Sequence, residues 1–124
     1  MFISVTKLKV KGVWRLGTFF MMTVPSFKQA QQAPGNLLAQ THTLGLLTYG
    51  TLTAWESEAA MRAYRNSAAH LEAMKRSRSF TTLLQSTHFE ATEAPTWPDA
   101  LARMEADPKS IKFGRPGKEA PAPK

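Results

Sequence analysis

Between Thr51 and His70 the hydrophobic period of the chain changes from two to roughly four across a single turn. Tyr49, Thr51, Thr53 and Trp55 alternate with Gly50, Leu52 and Ala54, as a strand with two different faces requires. Two residues past Trp55, Ser57 can accept a backbone N–H and Glu58 stands in the first turn, so a helix begins where the strand ends. Met61, Tyr64, Ala68, Leu71 and Met74 then recur at helical spacing and give that helix one face to bury. Asn66-Ser67 is a break point, after which a second short helix carries His70 and ends among Lys75, Arg76 and Arg78, cations that suit a helix C-terminus.

The rest of the chain reads in the same terms. Phe2 to Val10 alternates as a first strand, with Phe2, Ser4, Thr6, Leu8 and Val10 on one face and Ile3, Val5, Lys7 and Lys9 on the other. Leu16 to Gln32 reads as one helix or two, because Pro25 lacks a backbone donor and Ser26 can cap a restart; Pro34-Gly35 ends it. Asn36 to Thr43 and Leu47 to Trp55 form a hairpin through Leu44-Gly45-Leu46, where glycine can take a positive φ. Phe80 to Thr92 alternates as a fourth strand, and Trp97 to Asp107 is an added helix with Thr96 as its cap and Trp97, Leu101 and Met104 as anchors. The order β-α-β-β-α-β is the ferredoxin-like α+β arrangement, with helices on one face of a sheet.

With 124 residues, 43% hydrophobic and 20% charged, the chain holds one domain, read here as residues 1–107, followed by a basic Pro/Gly/Lys tail at 108–124 that has little to bury and is expected to be disordered. The formal charge of +7 is uneven: from Lys109 to Lys124 five bases face one acid. The body is therefore only mildly basic and lacks the electrostatic footprint of a specific nucleic-acid binder. Absence of cysteine removes disulfides and thiolate chemistry and fits a cytoplasmic, reducing setting. The apolar run Leu16 to Val24, behind Lys7, Lys9, Lys11 and Arg15, is too short to span a bilayer, and the strand before it is no signal leader, so no membrane partner is expected.

Trp55 at the end of a strand, Ser57 two positions later, an amphipathic helix and the small-residue turn Ser67-Ala68-Ala69-His70 together resemble the antibiotic-biosynthesis-monooxygenase-like group, over roughly residues 1–90. The resemblance implies a dimeric α+β barrel in which two sheets pack face to face, each subunit keeping a pocket between its own sheet and helices. The residue pattern points the same way. Helices on one face would leave Ile3, Val5, Leu38, Leu52, Leu83 and Phe89 as an apolar far face, too large for a soluble monomer. A homodimer is expected.

The resemblance further implies a cofactor-independent monooxygenase-like oxidoreductase acting on a small hydrophobic, aromatic or polyketide-like molecule. Trp55, Tyr64, Thr53 and Thr51 would line the substrate pocket and His70 would be the catalytic or orienting imidazole. Each has an ordinary structural reading as well, Trp55 as core filling and His70 as a turn cap. His88 shares a face with Ser86 and Glu90 and reaches the same cavity if Phe2 points toward the helices; His42 lies near the hairpin in solvent. Three isolated histidines without metal spacing, and glycines scattered singly, give no metal site and no nucleotide cofactor. Heme-degrading enzymes share the barrel, but their ligand position, counted from Trp55 without gaps, falls on Met74 rather than His70; a register shift at Asn66-Ser67 would restore His70, which leaves heme binding as the third and weakest reading. The rival class is a non-catalytic dimer that binds a small hydrophobic ligand or serves a structural role.

Overall fold

The computed structural model describes residues 1–67, 75, 76, 79 and 81–114. His70, Leu71 and Met74 lie outside the described residues, as does most of the second short helix. Strands β1 (Phe2–Val10), β2 (Asn36–Thr43), β3 (Thr48–Trp55), β4 (Thr81–Glu90) and β5 (Ile111–Phe113) form one antiparallel sheet in the order β2-β3-β1-β4-β5. A short 3-10 turn (Val13–Arg15) leads into α1 (Leu16–Gln32), and α2 (Glu58–Arg65) and α3 (Trp97–Ala106) follow. The first four strands with α1 and α2 are the ferredoxin-like α+β arrangement, and the sheet is open rather than closed on itself.

Local chemistry explains the element ends. Ser57 Oγ accepts from Ala60 N at 3.1 Å and Thr96 Oγ1 from Asp99 N at 3.3 Å, so both expected caps form. Pro25 does not split α1: it sits exposed on the outer side of one continuous helix, and Ser26 turns inward instead of capping. Gly35, at φ +84°, swings the chain from α1 into β2, and a Cβ there would collide with Ala60. The hairpin differs from expectation, because Gly45 keeps a negative φ and the turn closes through Leu44 N and Gly45 N on the Thr48 carbonyl.

The strand alternation sorts the sheet into two faces as the sequence requires. Phe2, Trp55 and Met61 pack with Tyr64 and Ala33 on the helix side, joined toward the other end by Val10, Phe19, Leu8 and Tyr49. Ile3, Val5, Leu52 and Ala54 form the opposite face, and each is fully buried. What buries them corrects the premise of an uncovered face: α3 lies across it, with Ala100 and Met104 at 0% exposure and Trp97 and Leu101 alongside. Trp97 covers Gly50, where any Cβ would enter the indole, and stacks on His42 at 4.2 Å between centroids, so His42 is half-buried rather than solvated. Arg103 caps Phe89 at 4.4 Å.

The stretch after α3 also differs from expectation. Asp107 Oδ2 accepts from Thr87 Oγ1 at 2.7 Å, Gln85 Nε2 donates to Ser110 Oγ at 2.9 Å, and Ile111–Phe113 extend the sheet at the β4 edge. Residues 108–114 are therefore tied down by side-chain and ladder hydrogen bonds that the polar sequence did not advertise. Residues 115–124 lie outside the described residues.

Candidate functional site

The helix-side face of the sheet carries an unusual middle. Register places Thr53 beside Ser4 and Ser4 beside His88, and the next row along is Thr51, Thr6 and Ser86. All six are partly exposed, whereas their neighbours on the opposite face, Ile3, Val5, Leu52, Ala54, Gln85 and Thr87, are buried. Aromatic and apolar rows bound this polar floor at both ends: Phe2 and Trp55 at one, Leu8 and Tyr49 at the other. Five hydroxyls and an imidazole thus share one surface patch framed by rings, with α1 and α2 on the same side.

Trp55 is fully buried and stacks on Tyr64 at 5.3 Å; its Nε1 donates to Thr53 Oγ1 at 2.9 Å. The indole therefore forms the wall behind Thr53 rather than an open lining. Because Thr53 Oγ1 already accepts from the indole, its own proton is left to donate elsewhere, and the floor gains an oriented hydroxyl. Tyr64 is held differently: its hydroxyl donates to the Ser26 carbonyl at 3.0 Å and lies 3.2 Å from Ser26 Oγ. Burial pushes the Tyr64 phenol above its ordinary range, with the Ser26 side chain pulling weakly the other way. Together with Gln29 Nε2 donating to Ser67 Oγ at 3.3 Å, this contact ties α1 to α2.

Thr51 and Thr53 are thus on the floor, Trp55 and Tyr64 in the wall beside it, and His70 lies outside the described residues. His88 is where the conditional reading put it: Phe2 does point to the helices, and the His88 ring stacks on it at 5.9 Å. Ser4, Thr6 and Ser86 were not singled out from the sequence. Their signal was available only as register, since a Ser or Thr in a strand is ordinary until three strands align theirs. A separate cleft of about 490 Å³ opens on the other side of the sheet, between Phe89 and Ala91 of the β4 end and Asp99 and Arg103 of α3. It holds none of the expected site residues and is a shallow groove beside the added helix. Among the described residues no cluster of three His, Asp or Glu side chains is arranged to hold a metal ion.

The ferredoxin-like sheet with helices on one face is shared with proteins of known sequence and structure. Residues 20–76, a little under half of the chain, match the sequence model of the antibiotic biosynthesis monooxygenases, taking in most of α1, the hairpin, Trp55, Ser57 and α2. Over that stretch the chain is similar to the antibiotic biosynthesis monooxygenases, in line with the resemblance read from the residues around Trp55. Among solved structures, a Deinococcus radiodurans protein provisionally assigned to the antibiotic biosynthesis monooxygenases superposes with a TM-score of 0.68 at 21% identity, covering 77% of this chain and 97% of that one. SnoaB, a cofactor-independent oxygenase from Streptomyces nogalater, gives 0.63 at 17% identity over 78% and 96% of the two chains. Rv0793 from Mycobacterium tuberculosis gives 0.67 at 9% over 77% and 100%. At these identities the structural likeness speaks for the fold. No curated protein matches the chain.

Proposed function

We propose that the protein is a cofactor-independent monooxygenase-like enzyme that takes a small aromatic or polyketide-like compound on the helix side of its sheet. The observation that carries this reading is the pair of polar rows, Thr53-Ser4-His88 and Thr51-Thr6-Ser86, framed by Phe2, Trp55 and Tyr49. Rings and hydroxyls together suit a flat, oxygen-bearing substrate: the frame excludes water and the hydroxyls stabilise negative charge on the substrate oxygen. An imidazole removes the proton, and His70 is assigned that role, with His88 on the floor as the second imidazole. The anion then reacts with dioxygen. A substrate CH₂ becomes C=O, one oxygen atom enters the product and the other leaves as water, so the substrate supplies all the electrons.

The homodimer belongs to this proposal, with one condition that α3 imposes. A face-to-face barrel needs the face of Ile3, Val5, Leu52 and Ala54, on which α3 now sits, so α3 must vacate it or reach across to the partner. Light scattering of the full chain gives the answer directly, and a monomer mass at micromolar concentration removes the barrel.

The enzymatic reading is tested by oxygen uptake with hydroxylated polycyclic aromatics, without added flavin or metal. His70→Ala should lower turnover by about 10²-fold while leaving the melting temperature unchanged. Unchanged turnover in folded His70→Ala protein removes the assignment of His70, and no uptake across the panel favours the rival. That rival, a ligand-binding or structural protein of this fold, draws its support from the completely buried Trp55, whose one donor is already used by Thr53.

A further inference from the structure

The outer face of α1 is apolar where a surface helix is ordinarily polar. Gly17, Met21, Val24 and Lys28 follow one another along it at helical spacing, with Met21 80% and Val24 47% exposed. The 3-10 turn ahead of α1 adds Val13 and Trp14, 55% and 75% exposed. Phe20 meets Tyr49 edge-on at 5.5 Å, and the Tyr49 hydroxyl donates to the carbonyl of Leu46, whose exposed side chain continues the patch onto the β2–β3 hairpin. Single exposed apolar side chains are unremarkable in proteins; six at one end of a small domain, a tryptophan among them, mark a contact surface.

Charge identifies what the surface contacts. The first acidic residue of the chain is Glu56, and before it stand Lys7, Lys9, Lys11, Arg15 and Lys28. Lys11, Arg15 and Lys28 are exposed on the same segment as the patch. A second copy docking here through a two-fold axis would bring these cations together with no carboxylate from residues 1–55 to pair with them. An anionic, apolar-cored surface satisfies both features at once. No described helix is long and apolar enough to cross a membrane, so the contact is with the surface.

We propose that this end of the molecule docks on a lipid bilayer bearing anionic headgroups, with Trp14, Met21 and Val24 entering the headgroup boundary and Lys11, Arg15 and Lys28 meeting the phosphates. This departs from the expectation of no membrane partner, which rested on the absence of a span. The inference stands apart from the monooxygenase reading, since none of its residues is on the polar floor.

The test is co-sedimentation of the full chain with vesicles of phosphatidylcholine containing phosphatidylserine, against vesicles of phosphatidylcholine alone. Binding is expected on the anionic vesicles, weakened about tenfold or more by high salt and on neutral vesicles. Met21→Glu should lower the affinity by about tenfold without changing the melting temperature, because its side chain is mostly in solvent. Tryptophan emission should shift to the blue on binding, and the shift should vanish in Trp14→Phe. No binding, equal binding to both vesicles, or binding undiminished in both Met21→Glu and Trp14→Phe overturns the proposal. So does a dimer that Met21→Glu converts to monomer, which would assign the patch to a second copy.

Discussion

The two faces of this sheet are made from the same strands, yet they have opposite character. Leu52 and Ala54 point into a dry layer sealed by Ala100 and Met104 of α3, while Thr51 and Thr53, one residue along, point to a polar, partly open floor. The far face is core along its middle rows, whereas the helix-side face keeps its core at the two ends, around Trp55 and around Val10 and Phe19, and carries hydroxyls between them. Hydroxyls placed at sheet centre cost burial that aliphatic residues would supply, and such local concessions are expected where a protein binds something.

The contrast is broken most severely at Leu52. Leu52→Lys places an unpaired charge under α3 and should cost about 3–5 kcal/mol or unfold the domain, as urea denaturation would measure. Thr51→Val, the adjacent residue on the other face, should stay within about 1 kcal/mol. Equal sensitivity at the two positions would mean that both faces are core.

Met104→Ala attacks the same layer from the helix. With Met104 fully buried, the expected loss is about 2–5 kcal/mol. A near-zero change would show that α3 is not seated on the sheet in solution, and a larger mass by light scattering would show that the face beneath it had found a partner.

Trp55→Phe probes the boundary between floor and wall. It keeps an aromatic ring but removes the N–H that Thr53 Oγ1 accepts, so stability should fall by about 1 kcal/mol and the orientation of the Thr53 hydroxyl should relax. A changed ligand affinity with the fold intact would place Trp55 at the wall of a working pocket.

The smallest effect concerns Tyr64 and appears only in alkali. Its phenol titrates higher in the folded chain than in the unfolded one, chiefly through burial, so the folded state holds the proton more tightly. The associated stability is fully present below the unfolded value of roughly 10 and is lost as pH rises from there through the folded value. Thermal melts of Tyr64→Phe should show a shallower alkaline decline than the parent protein; parallel declines would show that the phenol is not protected.

What the sequence determined by itself is local. Two-residue alternation in Phe2–Val10 and Thr48–Trp55 assigned every side chain to a face, and Ser57 and Thr96 marked two helix starts, because period and capping are read within a few residues. It also named the apolar set Ile3, Val5, Leu38, Leu52, Leu83 and Phe89 as one face, and the strand register puts them there. The cover for that face was not legible: Trp97, Leu101 and Met104 announce an amphipathic helix, but nothing in their spacing says which of two apolar surfaces they meet. Likewise Ser4, Thr6 and Ser86 gain meaning only when β1 lies between β3 and β4 and aligns them with Thr53, Thr51 and His88. Alternation fixes the face of a residue, but strand order and register fix its neighbours, and those depend on contacts between segments tens of residues apart.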